Sequence, residues 1–114
     1  MTGHSPVALP SSTEPTARES AAALRAGRVS AVELAERALR RIREDGRAAQ
    51  PVDAWAAVAA EDVVLSAAAE VDRDLRRGVD LHPLAGIPYG VKDLLDTADL
   101  PTEAGSARWR GRRP

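Results

Sequence analysis

Apolar residues recur at helical spacing in three segments of the chain, and two of these segments open with a capping signal. Thr16 and Ser30 are each followed three positions later by a glutamate, which is the capping-box pattern of a helix start. The first pattern predicts a short helix to about Ala26, where Gly27 suits a left-handed C-terminal stop. The second pattern predicts a longer helix that ends near Gly46.

A third helix is predicted from roughly Ala60 to Arg77, with Gly78 at its stop. The second and third predicted helices each carry one apolar face. These faces consist of Val32, Ala35, Leu39 and Ile42 in the second helix, and of Val64, Ala68, Val71 and Leu75 in the third. Helices with such faces and short links are expected to pack against a common layer.

Two short apolar runs predict β-strands. The first covers residues 53–58 around Trp55, and the second covers residues 87–91, which are bounded by glycine and proline. Residues 1–14 contain few large apolar side chains and predict a flexible N-terminal lead, which leaves residues 15–114 as one domain. Helices and strands together indicate an α/β fold class.

The candidate core is thin. Hydrophobic residues make up 44% of the chain, but 23 of these 50 residues are alanine, and phenylalanine is absent. A small domain buries a smaller share of its surface than a large one, so such a core provides little stability to spare. We therefore expect the chain to be part of something larger or to pack against a partner.

Charge and cysteine content exclude several classes of function. The formal net charge is −1, which gives no global attraction to nucleic acid or to an anionic membrane. The absence of cysteine excludes disulfides, cysteine nucleophiles and thiolate metal sites. No apolar run approaches the roughly 20 residues that span a bilayer, and the N-terminus lacks a signal-peptide pattern. These features lead us to expect a cytoplasmic protein.

Lys92 is the only lysine among 16 basic residues, and all the others are arginine. A lysine can lose its proton when it is buried, whereas arginine stays charged near neutral pH. General base catalysis would explain one lysine in an arginine-rich chain. The chance survival of one lysine explains it equally well on composition alone. The structural alternative is a lysine at a strand-to-turn junction that simply faces water.

No other residue completes a catalytic set on sequence pattern. The nucleophile-elbow motif is absent, and Ser106 is the only loop serine near Lys92 in sequence. His4 and His82 are isolated and lack metal-ligand spacing. Residues 108–113 combine four arginines with Trp109, which suits either a phosphate or nucleic-acid contact or an ordinary solvated loop.

In their order along the chain, several segments resemble the N-terminal part of the amidase signature family. The most specific is residues 83–93, Pro-Leu-Ala-Gly-Ile-Pro-Tyr-Gly-Val-Lys-Asp, which is similar to the family's catalytic-lysine segment. The others are residues 30–34, 55–58, 100–102 and 105–106. The resemblance covers about residues 16–110 and identifies Lys92 as a catalytic-type lysine.

The resemblance implies an amide hydrolase that uses a serine nucleophile, a second serine on a cis peptide bond, and Lys92 as the base. Both serines lie downstream of the lysine in the family pattern, and no residue of this chain matches either one. The implied fold is α/β: N-terminal helices plus the first strands of a mixed sheet covered by helices, incomplete in this chain. A fragment of this kind is expected to be inactive alone.

In the complete enzyme, the resemblance implies a small-molecule amide as substrate, no cofactor or metal, no nucleic-acid or membrane partner, and a homodimer as one option. Two alternatives stay open. One is a glutamine-dependent amidotransferase A-subunit-like protein. The other is a non-catalytic helical module whose apolar faces dock on a partner.

Overall fold

The computed structural model describes residues 14–114. Within this range the chain forms three α-helices, α1 (Ala17–Arg25), α2 (Ala31–Arg47) and α3 (Glu61–Arg76), and a short 3-10 helix (Ala107–Trp109). Most of the predicted N-terminal lead, residues 1–13, lies outside the described range. None of the helices in that range has the length and apolar character needed to cross a membrane.

Both predicted capping boxes are confirmed. The Thr16 hydroxyl accepts the Glu19 N–H at 3.1 Å, and the Ser30 hydroxyl accepts the Glu33 N–H at 3.0 Å. Gly27 follows α1 at φ 73°, a conformation that only glycine adopts without strain. The two helix starts are therefore encoded within a few residues of sequence each.

The helices enclose a small apolar core. Its buried members are three leucines and three alanines: Leu24, Ala31, Leu34, Ala35, Leu39 and Ala68. The predicted apolar face of α3 is confirmed, because Val64, Val71 and Leu75 pack against these residues together with Ala68. No phenylalanine is available to enlarge this core, and its small size agrees with the composition.

Polar contacts fix α2 against α3. The two carboxylate oxygens of Asp72, on α3, accept the N–H groups of Ala31 at 2.7 Å and Val32 at 3.1 Å. These are first-turn amides of α2 that have no partner inside the helix. At the other end, Arg43 donates to the Glu61 carboxylate at 3.0 Å. The pair of helices is therefore tied together at both ends.

The prediction of an α/β fold with the first strands of a sheet is wrong, because residues 14–114 contain no β-strand. Residues 53–58 and 87–91 are irregular. The Val52 and Asp53 N–H groups donate to the Asp45 carboxylate, and the Ile87 N–H closes a turn on the Leu84 carbonyl. An apolar run indicates burial, but a strand also needs a neighbouring strand for its hydrogen bonds. Here Ile87, at the start of the second run, packs against the helices instead.

Candidate functional site

The segment that carries Lys92 is anchored by Gly86 where the three helices meet. Gly86 has φ +86°, and a Cβ atom built there would lie 3.1 Å from Leu24 of α1, 3.2 Å from Ala31 of α2 and 3.1 Å from Val71 of α3. A side chain at this position would have both a strained backbone and too little space. The helix junction thus contacts the lysine segment at Gly86, and glycine is the residue that fits there with least strain.

Gly90 provides a second point of close contact. A Cβ atom at this position would lie 3.1 and 3.2 Å from two ring carbons of Trp55. The indole therefore rests directly against the backbone of the lysine segment, two residues before Lys92. Trp55 and its neighbours were predicted as a strand, and they instead supply a flat apolar surface beside this segment.

Lys92 lies at the surface at the first position of a turn, which we call the lysine turn (residues 92–95). Its carbonyl accepts the N–H groups of Leu94 at 2.7 Å and Leu95 at 3.0 Å. The side chain is exposed, and within residues 14–114 the ammonium group has no hydrogen-bond or ion-pair partner. The strand that was predicted to end beside Lys92 is absent, and Lys92 is exposed rather than buried.

The lysine turn is held by residues that follow it in sequence. The Thr102 hydroxyl donates to the Leu95 carbonyl at 3.3 Å, and the Glu103 N–H donates to the Asp93 carboxylate at 2.9 Å. Thr102 is one of the few buried polar residues, with 5% of its surface exposed. These two bonds connect the second and last residues of the turn to the same short stretch of chain.

An ion pair closes the loop that contains this stretch. The Arg112 guanidinium donates to both carboxylate oxygens of Asp96, at 2.7 and 3.2 Å, and the Arg112 carbonyl accepts the Thr102 N–H at 2.9 Å. The hydrogen bond from Arg112 holds the pKa of Asp96 below its usual value, and the same bond raises the pKa of Arg112. Residues 92–112 are consequently one hydrogen-bonded loop system.

Ser106 and His82 make local hydrogen bonds, and His4 lies outside the described residues. The Ser106 hydroxyl accepts the Arg108 N–H at 3.3 Å and caps the 3-10 helix, so the loop serine near Lys92 is a helix cap. His82 Nδ1 accepts the Leu84 N–H at 3.1 Å within a turn.

The arginine-rich C-terminal segment is partly used for internal contacts. Arg112 pairs with Asp96, Arg113 donates to the Asp99 carbonyl at 3.4 Å, and the Arg108 guanidinium lies 5.7 Å from the centre of the Trp109 ring. These contacts attach the segment to residues 96–99 of the same loop system.

Two open grooves, of about 340 and 280 Å³, lie along α1, and neither is lined by Lys92. Residues 14–114 also contain no group of three or more side chains arranged to hold a metal ion. Neither of the two grooves therefore places Lys92 in a substrate pocket.

Curated relatives match most of this chain. It is 42% identical over 89 residues to the glutamyl-tRNA(Gln) amidotransferase A-subunit of Rhodopirellula baltica, covering 77% of this chain and 17% of that protein. Identity to the protein of the same name in Chloroflexus aggregans is 42% over 92 residues, with 81% and 18% covered. The mitochondrial A-subunit of Ornithorhynchus anatinus is 38% identical over 99 residues, with 87% and 18% covered.

The chain thus spans less than a fifth of the length of these relatives. No solved structure matches it significantly. The sequence profile of the Amidase family matches residues 33–114, a range that holds most of α2, all of α3, the lysine segment and the loop that closes on it. The resemblance seen in the sequence is therefore confirmed, and the chain belongs to the Amidase family.

Proposed function

We propose that this chain is the lysine-bearing N-terminal part of an amidase domain, and that the complete enzyme cleaves the C–N bond of small carboxylic amides. The observation that carries the proposal is the position of Lys92. The only lysine of the chain lies in the family's lysine segment, inside the range that matches the Amidase family. A composition that otherwise uses arginine retains a primary amine at this one position.

In this proposal Lys92 is a general base. A lysine accepts a proton only in its neutral form, and removal from water is what favours that form. Lys92 is exposed within the described residues, so the desolvation has to come from further polypeptide of the amidase domain and from the bound substrate. The large apolar side chains around Lys92 are also exposed, as is expected of a surface that further polypeptide covers. They are Tyr89, Val91, Leu94 and Leu95.

The reaction that the family resemblance implies begins with proton transfer to Lys92 from a serine on a cis peptide bond. That serine takes the proton of a second serine, whose oxygen attacks the amide carbonyl carbon. The C–N bond breaks, the amine or ammonia leaves with a proton, and water releases the acid from the acyl-enzyme. Neither serine has a counterpart among the 114 residues, so the chain alone is proposed to be inactive.

The test uses the complete enzyme, with the polypeptide that continues the amidase domain restored. Ammonia release and formation of the matching acid are measured for a panel of simple carboxylic amides. We expect both products from the wild-type enzyme and a loss of about 10²- to 10⁴-fold in kcat for Lys92→Ala, the range for removal of a general base. Near wild-type turnover by Lys92→Ala would rule out the assignment.

A second candidate function is favoured by the names of the relatives. The relatives from Rhodopirellula baltica, Chloroflexus aggregans and Ornithorhynchus anatinus are A-subunits of glutamyl-tRNA(Gln) amidotransferases. The complete protein would then release ammonia from glutamine for a partner protein. The same assay separates the candidates: ammonia from glutamine but not from simple amides supports the amidotransferase function, and the opposite preference supports the free-standing amidase.

A further inference from the structure

We propose that Thr102 is a positioning residue for Lys92, acting through the backbone of the lysine turn. The inference rests on the proposed function, in which Lys92 is the base, and adds a residue that sets the location of its main chain. Thr102 lies ten positions further along the chain, and its hydroxyl bonds to the main chain of the turn at Leu95.

Two successive hydrogen bonds connect Thr102 to Lys92. The Thr102 hydroxyl donates to the Leu95 carbonyl at 3.3 Å, and the Leu95 N–H donates to the Lys92 carbonyl at 3.0 Å. Leu95 therefore receives one bond from Thr102 and gives one to Lys92. A change at the hydroxyl reaches the lysine backbone through a single intervening residue.

Thr102 is itself fixed well enough to act as a support. The residue is almost completely buried, and within residues 14–114 Ser20 is the only other buried polar residue. Its N–H donates to the Arg112 carbonyl at 2.9 Å, and Arg112 is held by the ion pair with Asp96. The next residue, Glu103, donates its N–H to Asp93. Asp93 directly follows the lysine, so the support contacts the lysine turn twice.

Such a support matters because three of the four residues of the lysine turn are exposed. Lys92, Leu94 and Leu95 are all solvent-accessible, so packing does little to hold the turn. Displacement of a catalytic group by about 1 Å can cost as much as about 100-fold in rate. Hydrogen bonds from the following loop are the means by which the described residues limit such displacement.

The experiment compares Thr102→Val with Thr102→Ser in the complete enzyme. Valine has the shape of threonine but lacks the hydroxyl, and serine keeps the hydroxyl. Thr97→Val is the matched control, because Thr97 also donates a hydroxyl bond to a main-chain carbonyl, that of Leu100 at 3.5 Å, which lies outside the lysine turn. Both kcat and KM are measured for each variant per mole of folded enzyme.

We expect Thr102→Val to lower kcat by about 10- to 100-fold with KM within about twofold of wild type. Thr102→Ser and Thr97→Val should both keep kcat within about threefold of wild type. The proposal is overturned if Thr102→Val retains wild-type kcat, if its loss appears in KM alone, or if Thr97→Val loses as much.

A second pair of variants covers the case in which Thr102→Val does not fold. Thr102→Ala removes the hydroxyl and adds no atom, whereas Thr102→Ser keeps the hydroxyl. We expect kcat to fall for Thr102→Ala and to stay within about threefold of wild type for Thr102→Ser; equal values for the two would overturn the proposal. Lys92→Ala separates the two claims, since an active Lys92→Ala enzyme defeats the proposed function whatever the Thr102 variants do.

Discussion

Lys92 is exposed at its side chain and restrained along its backbone. The helix junction contacts the segment at Gly86, the Trp55 indole contacts it at Gly90, and the loop containing Thr102 holds the turn that starts at Lys92. A base needs a fixed location before it needs a particular protonation state. The described residues restrain the location of Lys92. The proposed function assigns control of the protonation state to the rest of the amidase domain.

Replacement of Gly86 tests the anchor at the residue scale. Gly86→Ala places a Cβ atom 3.1 to 3.2 Å from three core side chains on a backbone with φ +86°. We expect a loss of about 1–3 kcal/mol in the free energy of unfolding, because left-handed strain and overpacking act together. Urea unfolding followed by far-UV circular dichroism gives the value.

Gly46→Ala is the control for that substitution. Gly46 lies within α2, and a Cβ atom there would meet nothing within 4 Å. Alanine has the higher helix propensity, so this variant should be neutral or up to about 1 kcal/mol more stable. Equal effects of the two alanine substitutions would contradict the anchoring role of Gly86.

The ion pair between Asp96 and Arg112 predicts how the stability of the fold changes with pH. Because the hydrogen bond from Arg112 lowers the pKa of Asp96 in the folded chain, the pair stabilises the fold above the unfolded pKa of about 3.8. The contribution disappears as the pH falls through the lowered value. A titration of the Asp96 carboxyl carbon by NMR should show a pKa below that of an unstructured aspartate, and Arg112→Gln should raise it. An unchanged pKa in Arg112→Gln would contradict this cause.

At the scale of elements, the sequence predicts what is locally encoded. Thr16 and Ser30 mark the starts of α1 and α2 because a capping box is complete within four residues. The cap that Asp72 adds to α2 comes from about 40 positions away, and no local pattern contains it. The predicted strands failed for the same reason, since strand pairing is a long-range property.

The candidate site likewise has one part that the sequence predicts and one part that it does not. Lys92 is identifiable from its isolation among arginines and from the motif around it. Thr102 and its bond to Leu95 were missed, because a threonine after a proline in a turn-rich loop carries no sign of what its hydroxyl contacts. Only the structure brings residues 92–95 and 102–103 together.

Removal of the Asp72 carboxylate tests the contact between α2 and α3. Asp72→Ala leaves the N–H groups of Ala31 and Val32 without their present acceptors. We expect a loss of about 1–2 kcal/mol in unfolding free energy, as for removal of a helix cap. Asp74→Ala is the control, since the Asp74 side chain has no hydrogen-bond partner within residues 14–114. A similar loss in both variants would argue against the cap.

At the scale of the whole molecule, few large apolar side chains within residues 14–114 are buried and many are exposed. Three leucines and three alanines form the buried core, whereas eleven large apolar residues within residues 14–114 are exposed. Tyr89 has 84% of its surface in water, and Leu94 and Leu95 have 61% and 62%. Such a distribution is typical of a segment that other polypeptide covers.

The isolated 114-residue chain is accordingly predicted to be marginally stable and to lack amidase activity. Thermal unfolding should give a low, broad transition, because a small core provides little cooperative free energy. Differential scanning calorimetry of the chain, alongside an ammonia-release assay, checks both expectations. A sharp transition in the usual mesophilic range, or measurable turnover, would contradict them.

The most direct test of the account is the turnover of Lys92→Arg in the complete enzyme. Arginine keeps the positive charge and the approximate length of the side chain, but it cannot give up its proton near neutral pH. If Lys92 acts as a base, kcat for amide hydrolysis falls by about 10²- to 10⁴-fold while the protein stays folded. A Lys92→Arg enzyme with wild-type kcat would show that the position needs only charge, and would contradict the assignment of Lys92 as the base.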